Sequence, residues 1–349
     1  MRKFKYLSVL LLPFTVYFSF QATGWVTFFP LVLFFGILPL FELMLPVNDK
    51  NMDEAEKKLA EKDPFYDWLL YLMLPIQWGF LIYFLNIIGK GEDWTTIIGK
   101  IISMGMMNGV IGINLGHELG HRLNKWEQLI GDALLLSSLE NHFLPYHNRG
   151  HHTNVATKED PATARFNEPL YVFWFRSHFG SYFQSWQIEK ERLKIQGLPF
   201  IHHTNRMIVY SILHASLISV IFLVFGWKVL LAFLISAMIG ILLLETVNYI
   251  EHYGLVRQKR ENGTYERVRR WHSWNSNHVI GRVILFELSR HSDHHYKADR
   301  PYQILESHEE SPQMPTGYPG MMVLATLPPL FFAVMNKRVL NNRRISNPS

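Results

Sequence analysis

Cysteine is absent from this sequence of 349 residues. Disulfide bridges, thiolate-held zinc and cysteine-ligated iron–sulfur clusters are therefore excluded, because each needs a cysteine sulfur. If the chemistry of the protein consumes electrons, a separate protein must deliver them. The net charge of +5 is modest and no nucleic-acid-binding motif is visible, so nucleic acid is not an expected partner.

Apolar residues make up 48% of the chain and are gathered into long runs. Six runs approach the roughly 20 residues that an α-helix needs to cross a bilayer. The first run resembles a signal peptide, but a second run follows almost at once and no small-residue cleavage site is evident, which favours a transmembrane hairpin. The runs form three such hairpins and cover residues 7–20, 25–45, 68–88, 95–115, 207–225 and 229–250.

The 34 lysines and arginines are distributed unevenly around these runs. All but Lys90, Lys100 and Lys228 fall in the segments 1–6, 46–67, 116–206 and 251–349. The positive-inside rule places such segments in the cytoplasm. The sequence therefore predicts a bacterial-type inner (cytoplasmic) membrane protein, with both termini and every histidine cluster on the cytoplasmic side.

The expected fold is an all-α integral membrane protein with six transmembrane helices and a cytosolic, histidine-rich helical cap. The cap would be formed by residues 116–206 and 251–349, and the whole chain, 1–349, would form a single domain. Two further apolar stretches, 129–139 and 321–334, are too short to span a bilayer. We expect them to pack against the cap or the membrane interface.

Histidine is concentrated in four short clusters. Neutral imidazole is the commonest metal ligand, and spacings of three and four residues put such rings on one face of a helix. Where two histidines are adjacent, an i, i+4 pair can face one metal while the neighbouring ring faces a second. Nine imidazoles exceed what one tetrahedral zinc needs, so the pattern favours two metal ions with nitrogen ligands. The nine candidates are His117, His121, His147, His151, His152, His252, His291, His294 and His295.

Metal-bound histidines usually donate their second ring N–H to a carboxylate or carbonyl. Glu245 is the strongest candidate for this role, because an unpaired carboxylate near the end of the sixth apolar run would be costly. Asp160 and Asp299 also lie near histidine clusters. For every acid except Glu245, ordinary surface charge is at least as good an explanation. The carboxylates selected as orienting partners are Glu118, Glu140, Glu245, Glu251 and Asp293.

Two other functions fit part of the pattern. His117-Glu-Leu-Gly-His121 matches a zinc-protease motif with the glutamate as general base, but this leaves seven clustered histidines unexplained. A metal transporter or sensor would also use cytosolic histidines, but it predicts polar residues along the spans. The apolar runs hold few, chiefly Lys100, His214 and Glu245.

Two basic stretches, residues 257–260 and 267–270, follow His252. They fit the docking of an acidic electron-transfer protein. The same charges would also attract anionic lipid headgroups, so the sequence leaves both interpretations open.

Four motifs contain the nine clustered histidines. They are His117-Glu-Leu-Gly-His121-Arg, His147-Asn-Arg-Gly-His151-His152, Asn248-Tyr-Ile-Glu-His252-Tyr-Gly-Leu255 and Leu288-Ser-Arg-His291-Ser-Asp-His294-His295. The set closely resembles the integral-membrane alkane 1-monooxygenases of the membrane diiron hydroxylase and fatty-acid desaturase superfamily. Desaturases usually carry His-x-x-His-His in the second motif, whereas this chain has the His-x-x-x-His-His of alkane hydroxylases. Ser289 departs from the family, since many members carry glutamine there.

The resemblance implies terminal hydroxylation of medium- to long-chain n-alkanes to 1-alkanols, with O2 as co-substrate. It implies two iron ions held by the nine histidines, and no catalytic residue beyond that metal site. Electrons would come from rubredoxin, itself reduced by rubredoxin reductase, and the alkane would enter from the membrane lipid. Hydroxylation of fatty acids or alkyl-aromatic compounds on the same scaffold is the alternative.

Overall fold

A computed structural model describes residues 2–346 of the chain, and the regular secondary structure of this part is helical. No β-strand forms within it, and only two isolated β-bridges occur there. The expectation of an all-α protein is confirmed for these residues. Met1 and residues 347–349 lie outside the described residues. The predicted placement of the two termini concerns these residues.

Seventeen α-helices are described, and short 3₁₀ and π segments interrupt them. The 3₁₀ segments are Arg2–Leu10, Gly24–Phe28, Arg270–His272 and Tyr302–Ile304, and the π segments are Leu33–Ile37, Asn108–Ile113 and His147–His151. The α-helices are α1 Leu11–Gln21, α2 Phe29–Val32, α3 Leu38–Leu43, α4 Glu54–Lys62, α5 Phe65–Ile87, α6 Trp94–Met107, α7 Asn114–Gly120, α8 Lys125–Leu136, α9 Phe143–Tyr146, α10 His152–Asn154, α11 Leu170–Ile195, α12 Arg206–Phe225, α13 Trp227–His252, α14 Val279–Ile284, α15 His291–Tyr296, α16 Tyr318–Ala325 and α17 Pro328–Ser346.

Five helical stretches are long and apolar enough to cross a membrane, and they match the last five predicted runs. They are Gly24–Leu43, Phe65–Ile87, Trp94–Gly120, Arg206–Phe225 and Trp227–His252. The protein is therefore a helical membrane protein.

The first predicted run has a different local structure. It begins as the 3₁₀ helix Arg2–Leu10 and becomes α-helical only at Leu11. Pro13 lies in the first turn of α1, where its missing N–H costs no helical hydrogen bond. Proline thus fits the start of an α-helix here.

The two short apolar stretches are also helical. Residues 129–139 lie largely in α8. Residues 321–334 divide between α16 and α17, with the break just before Pro328-Pro329. Proline is tolerated in the first turn of a helix but not in its interior, so the pair marks where α17 begins.

The chain divides into two compact units. Unit 1 comprises residues 2–37, 63–144 and 189–244. Its α7 and α8 pack closely, and the apolar core around them contains Ile113, Leu135, Phe143 and Leu144. These contacts fix the helix that carries the first histidine motif.

A buried polar network crosses the apolar interior of unit 1. The Gln77 side-chain amide donates to Asn108 Oδ1 at 2.9 Å and to Ser137 Oγ at 3.0 Å. Polar side chains are costly among apolar spans unless they are paired, so this network specifies how the helices fit together. Asn108 begins the π segment that leads into α7, and the network therefore also sets the register of His117.

Substituting Gly131 with alanine is expected to lower stability by about 1–3 kcal/mol, the usual cost of overpacking. A Cβ at this position would lie 2.9 Å from the Gly116 carbonyl oxygen and 3.2 Å from the Gly120 nitrogen. Both are backbone atoms and cannot move aside cheaply. The measurement is the thermal unfolding midpoint in lipid nanodiscs. Gly79→Ala is the control, because a Cβ there meets no atom of the described residues within 4 Å. Equal midpoints for the two variants would contradict this account of the helix packing.

Unit 2 comprises residues 38–62, 145–188 and 245–346 within the described part of the chain. Its core is aromatic: the rings of Tyr249 and Tyr253 lie 5.1 and 4.8 Å from the ring of Phe331. Trp274 is also buried there and donates its indole N–H to the Tyr253 carbonyl. This core holds the end of α13, and with it His252, in place.

Candidate metal centre

His117 and His121 lie at the end of unit 1's most buried span. His117 is in α7 and His121 follows directly after it, so the i, i+4 spacing puts both rings on one side. Their Nε2 atoms are 3.0 Å apart. Phe143 packs its ring edge against the His117 imidazole, which keeps this side of the ring dry.

The second histidine motif, residues 147–152, lies in unit 2. Its residues His147–His151 form a π-helix and not the expected α-helix. The wider turn brings His147 opposite His152, and their Nε2 atoms are 3.0 Å apart. The i, i+4 spacing of an α-helix predicts that His147 pairs with His151, and this prediction is wrong. His294 joins His147 and His152 with its ring nitrogen inside the same group.

A second group in unit 2 contains His151, His252, His291 and His295, and all four are buried. The Nε2 atoms of His151 and His295 are 3.2 Å apart, and those of His252 and His291 are 3.1 Å apart. In α15 the i, i+4 pair His291 and His295 belongs to this group, while the neighbouring His294 faces the other group. The expectation that adjacent histidines face different groups holds for both motifs.

The spacing of these nitrogens has a chemical meaning. Two ligands at about 2.1 Å from one metal and about 90–100° apart are themselves roughly 3.0–3.2 Å apart. The observed Nε2 pairs all fall in this range. A tetrahedral angle would spread them to about 3.4 Å. Imidazole donors at these distances suit a first-row metal ion, and the groups indicate a metal site.

Burial also sets the protonation state of the histidines outside the spans. It lowers the pKa of His294 to about 4 and that of His295 well below the ordinary value for histidine, with neighbouring imidazoles contributing in the same direction. Both rings are therefore neutral near pH 7. Neutral imidazole is the form that binds a metal ion.

Asp160 contacts the His151 ring on the side that faces away from the histidine group. Its Oδ2 lies 2.9 Å from His151 Nδ1, while His151 Nε2 faces the histidine group. The carboxylate also accepts hydrogen bonds from Thr163, Tyr146 and the Ala162 N–H. Burial alone would raise the pKa of Asp160, but the His151 ring and these hydrogen bonds bring it down to about 2. An ionised Asp160 fixes the orientation of the His151 ring.

Glu251 makes a different contact. Its Oε2 is 3.2 Å from His291 Nε2, the atom that faces the second group, and its Oε1 accepts a hydrogen bond from Tyr318 at 2.8 Å. Glu251 thus lies on the inner side of the His291 ring. Asp160 lies on the outer side of the His151 ring, so the two carboxylates occupy different positions relative to the histidine groups.

The other selected carboxylates pair elsewhere. Asp293 is buried and accepts from Arg300 at 2.8 Å and from His308 at 3.0 Å, which fixes the turn that follows α15. Glu245 accepts from Asn248 at 3.3 Å and lies among buried residues of α13.

In unit 1, Glu118 forms an ion pair with Arg122 at 3.2 Å. Glu140 lies 3.4 Å from His142. These two contacts link the carboxylates to residues outside the nine histidines.

Three contributing residues were not singled out from the sequence. Tyr146 and Thr163 hold Asp160, and Tyr318 holds Glu251. Tyr318 ends the stretch from Pro312 to Tyr318, which follows the last histidine motif. Tyr146 directly precedes His147, and this adjacency is the only sequence signal for its role.

Residues 92–325 match the family model described as fatty acid desaturase. The chain is 39% identical to alkane 1-monooxygenase 1 of Pseudomonas aeruginosa over 87% of this chain and 81% of that protein. It is 38% identical to alkane 1-monooxygenase of Ectopseudomonas oleovorans over 91% of this chain and 80% of that protein. It is 35% identical to alkane 1-monooxygenase 2 of Alcanivorax borkumensis over 97% and 91%, respectively. The chain therefore belongs to the alkane 1-monooxygenases, which are monooxygenase enzymes within the fatty acid desaturase family.

Proposed function

We propose that this enzyme hydroxylates the terminal methyl group of medium- to long-chain n-alkanes at a site that holds two iron ions. The observation that carries the proposal is the convergence of mostly buried imidazoles in a membrane protein of this family. The balanced reaction takes one alkane, one O2, two electrons and two protons, and gives one 1-alkanol and one water.

One iron would be held by the group in unit 2 that contains His147, His152 and His294. The other would be held by the second group, which consists of His151, His252, His291 and His295. The proposed set of nine ligands also includes His117 and His121. Iron held by these residues would supply the activation of O2 and the oxidation of an unactivated C–H bond. Imidazole nitrogen is a suitable ligand for iron, and nine candidate imidazoles exceed the four ligands that a tetrahedral zinc needs.

The protein's own residues contribute positioning and the exclusion of water. Asp160 keeps the His151 ring in a fixed tautomer and direction. Glu251 is held by Tyr318 and keeps a carboxylate beside His291 within a buried pocket of polar groups. Apolar spans would receive an alkane directly from the bilayer core, where it dissolves, and deliver its terminal methyl group to the metals.

We propose that the first predicted run, residues 7–20, is the sixth span; it lies within the helix from Arg2 to Gln21. Nine residues of 3₁₀ helix and eleven of α-helix extend about 34 Å, which exceeds the ~30 Å hydrocarbon core. Phe14 and Tyr17 are exposed on this helix, as lipid-facing side chains would be. With six spans, both termini and the histidine-rich cap would lie on the cytoplasmic side of an inner membrane, and the chain would work as one catalytic domain. The distribution of lysine and arginine supports this orientation.

Rubredoxin is the electron donor that we propose, supplied by its reductase. Monooxygenation consumes two electrons, and a chain without cysteine holds no iron–sulfur centre of its own. A separate redox protein must therefore reach the metal site from the aqueous side.

Metal removal is expected to abolish alkane hydroxylation. Protein in membranes would be treated with a chelator, reloaded with Fe²⁺ or Zn²⁺, and supplied with rubredoxin, its reductase and n-alkanes from octane to hexadecane. About two irons per chain and restored 1-alkanol formation are the expected result. Zinc should not restore turnover, because it has no redox chemistry.

The reloading experiment also tests the alternative that the protein is a zinc protease. One zinc per chain, with turnover that does not depend on O2, would contradict the proposal. Hydroxylated fatty acids or alkyl-aromatic compounds in place of 1-alkanols would keep the metal chemistry but replace the substrate.

A further inference from the structure

We propose that a cavity on unit 2, bordered by Lys158 and Arg165, is the docking site of the electron donor, and that the donor is a small acidic redox protein. This inference rests on the proposed function, because the proposed hydroxylation consumes two electrons that a partner must supply. Beyond that function, we propose where the donor binds, which charge the donor carries and where the electron enters the protein.

The cavity has a volume of about 410 Å³ and opens to the surface. Its walls are largely apolar, and Val256 at its edge is 48% exposed. It is lined by Ala156, Thr157, Lys158, Asp160, Thr163, Ala164, Arg165, Phe166, Gly254, Leu255 and Val256. Apolar residues surrounded by exposed polar and charged ones also form the core and rim of protein–protein interfaces.

Asp160 connects this cavity to the metal centre. It lines the cavity and its Oδ2 lies 2.9 Å from His151 Nδ1, while His151 Nε2 faces the second histidine group. One hydrogen bond and one imidazole ring therefore separate the cavity from the ligand nitrogen. A donor seated here would need no movement of the buried histidines to pass an electron.

The surface beside the cavity is basic. In residues 158–165 and 256–272, the exposed basic side chains are Lys158, Arg165, Lys259, Arg260, Arg267 and Arg269, and the exposed acidic ones are Glu159 and Glu261. Opposite charges on a partner would steer its approach and raise the association rate, as in other short-lived complexes. The positive charge of this surface favours a donor that carries negative charge.

The basic segment is held in a fixed position. Lys259 and Tyr265 form a β-bridge, and the Tyr265 hydroxyl donates to Glu159 at 3.1 Å, next to Lys158. The Arg257 guanidinium donates to the carbonyls of Thr153 and Glu266. A surface fixed in this way loses little conformational entropy when a partner binds.

The test compares a charge-reversed cavity edge with a charge-reversed control. Lys158→Glu combined with Arg165→Glu is the test variant, and Lys58→Glu combined with Lys62→Glu on α4 is the control, since both control lysines are exposed in the same unit. The proteins would be placed in nanodiscs of zwitterionic lipid. The affinity for rubredoxin and the rubredoxin-driven KM and kcat would be measured at two salt concentrations.

The test variant is expected to bind rubredoxin at least about 10-fold more weakly, with a raised KM and a weaker dependence on salt. Single turnover driven by dithionite with a small mediator should match the wild type, because the metal centre is untouched. Unchanged affinity, or an equal loss in the control, would overturn the docking site. A defect seen only in anionic nanodiscs would do the same, because it would assign these charges to lipid.

Failure of the proposed function gives a different result. If wild-type protein binds rubredoxin through this edge but forms no hydroxylated alkane with either reductant, the docking site stands and the alkane substrate is wrong. If neither rubredoxin binding nor dithionite-driven turnover occurs, both proposals are wrong.

Discussion

Replacing His252 with alanine is expected to lower bound iron and hydroxylation together, with turnover reduced by more than about 100-fold. His252 is fully buried, and its Nε2 lies 3.1 Å from that of His291. Its ring is 4.8 and 4.9 Å from the rings of His151 and His295. The substitution removes one of four nitrogens from this group. Loss of an orienting partner alone typically costs 10–100-fold, so loss of a ligand should cost more.

The measurement combines iron per chain, by plasma mass spectrometry, with 1-alkanol formation. His202→Ala is the control, because His202 is half-buried, bonds to Thr204 and is not among the histidines of either group. It should retain full iron and activity. Full activity in His252→Ala would remove the nine-ligand arrangement, and loss of activity with two irons still bound would assign His252 another role.

Asp160→Asn is expected to reduce iron affinity and turnover by about 10–100-fold while the protein still folds. The side chain keeps its size, but one acceptor oxygen becomes a donor. Either the contact with His151 and Thr163 or that with Tyr146 and the Ala162 N–H must then be lost. The negative charge that favours one tautomer of His151 is lost as well.

Competition with a graded iron chelator would measure the affinity change directly, apart from catalysis. Glu159→Gln is the matched control, because this neighbouring residue is exposed and bonds to Tyr265. Iron retention equal to that of the wild type in Asp160→Asn would show that His151 needs no carboxylate to orient it.

The helices were predictable because each apolar run has the length of a bilayer crossing. Trp94–Gly120, for example, extends the predicted run 95–115 by only a few residues into the histidine motif. The packing of unit 1 was not predictable. It depends on contacts such as Gln77 with Asn108, which are distant in sequence and polar where the runs look uniformly apolar.

The histidines were recognisable because ligand chemistry restricts the residue type and the spacing. Their distribution between the two groups was only partly predictable. Residues 147–151 form a π-helix, and no α-helical rule places His147 beside His152. Orienting partners were harder still. Asp160 follows His151 by nine residues through irregular chain, and Tyr318 lies 67 residues after Glu251.

The π-helix has a thermodynamic consequence. Residues 147–152 supply ligands to both histidine groups, and so does α15 through His291, His294 and His295. Filling either group orders chain that the other group also uses, so the two binding equilibria are linked. Loading should then be cooperative: singly loaded protein stays scarce during titration with metal, and loss of one ion promotes loss of the other.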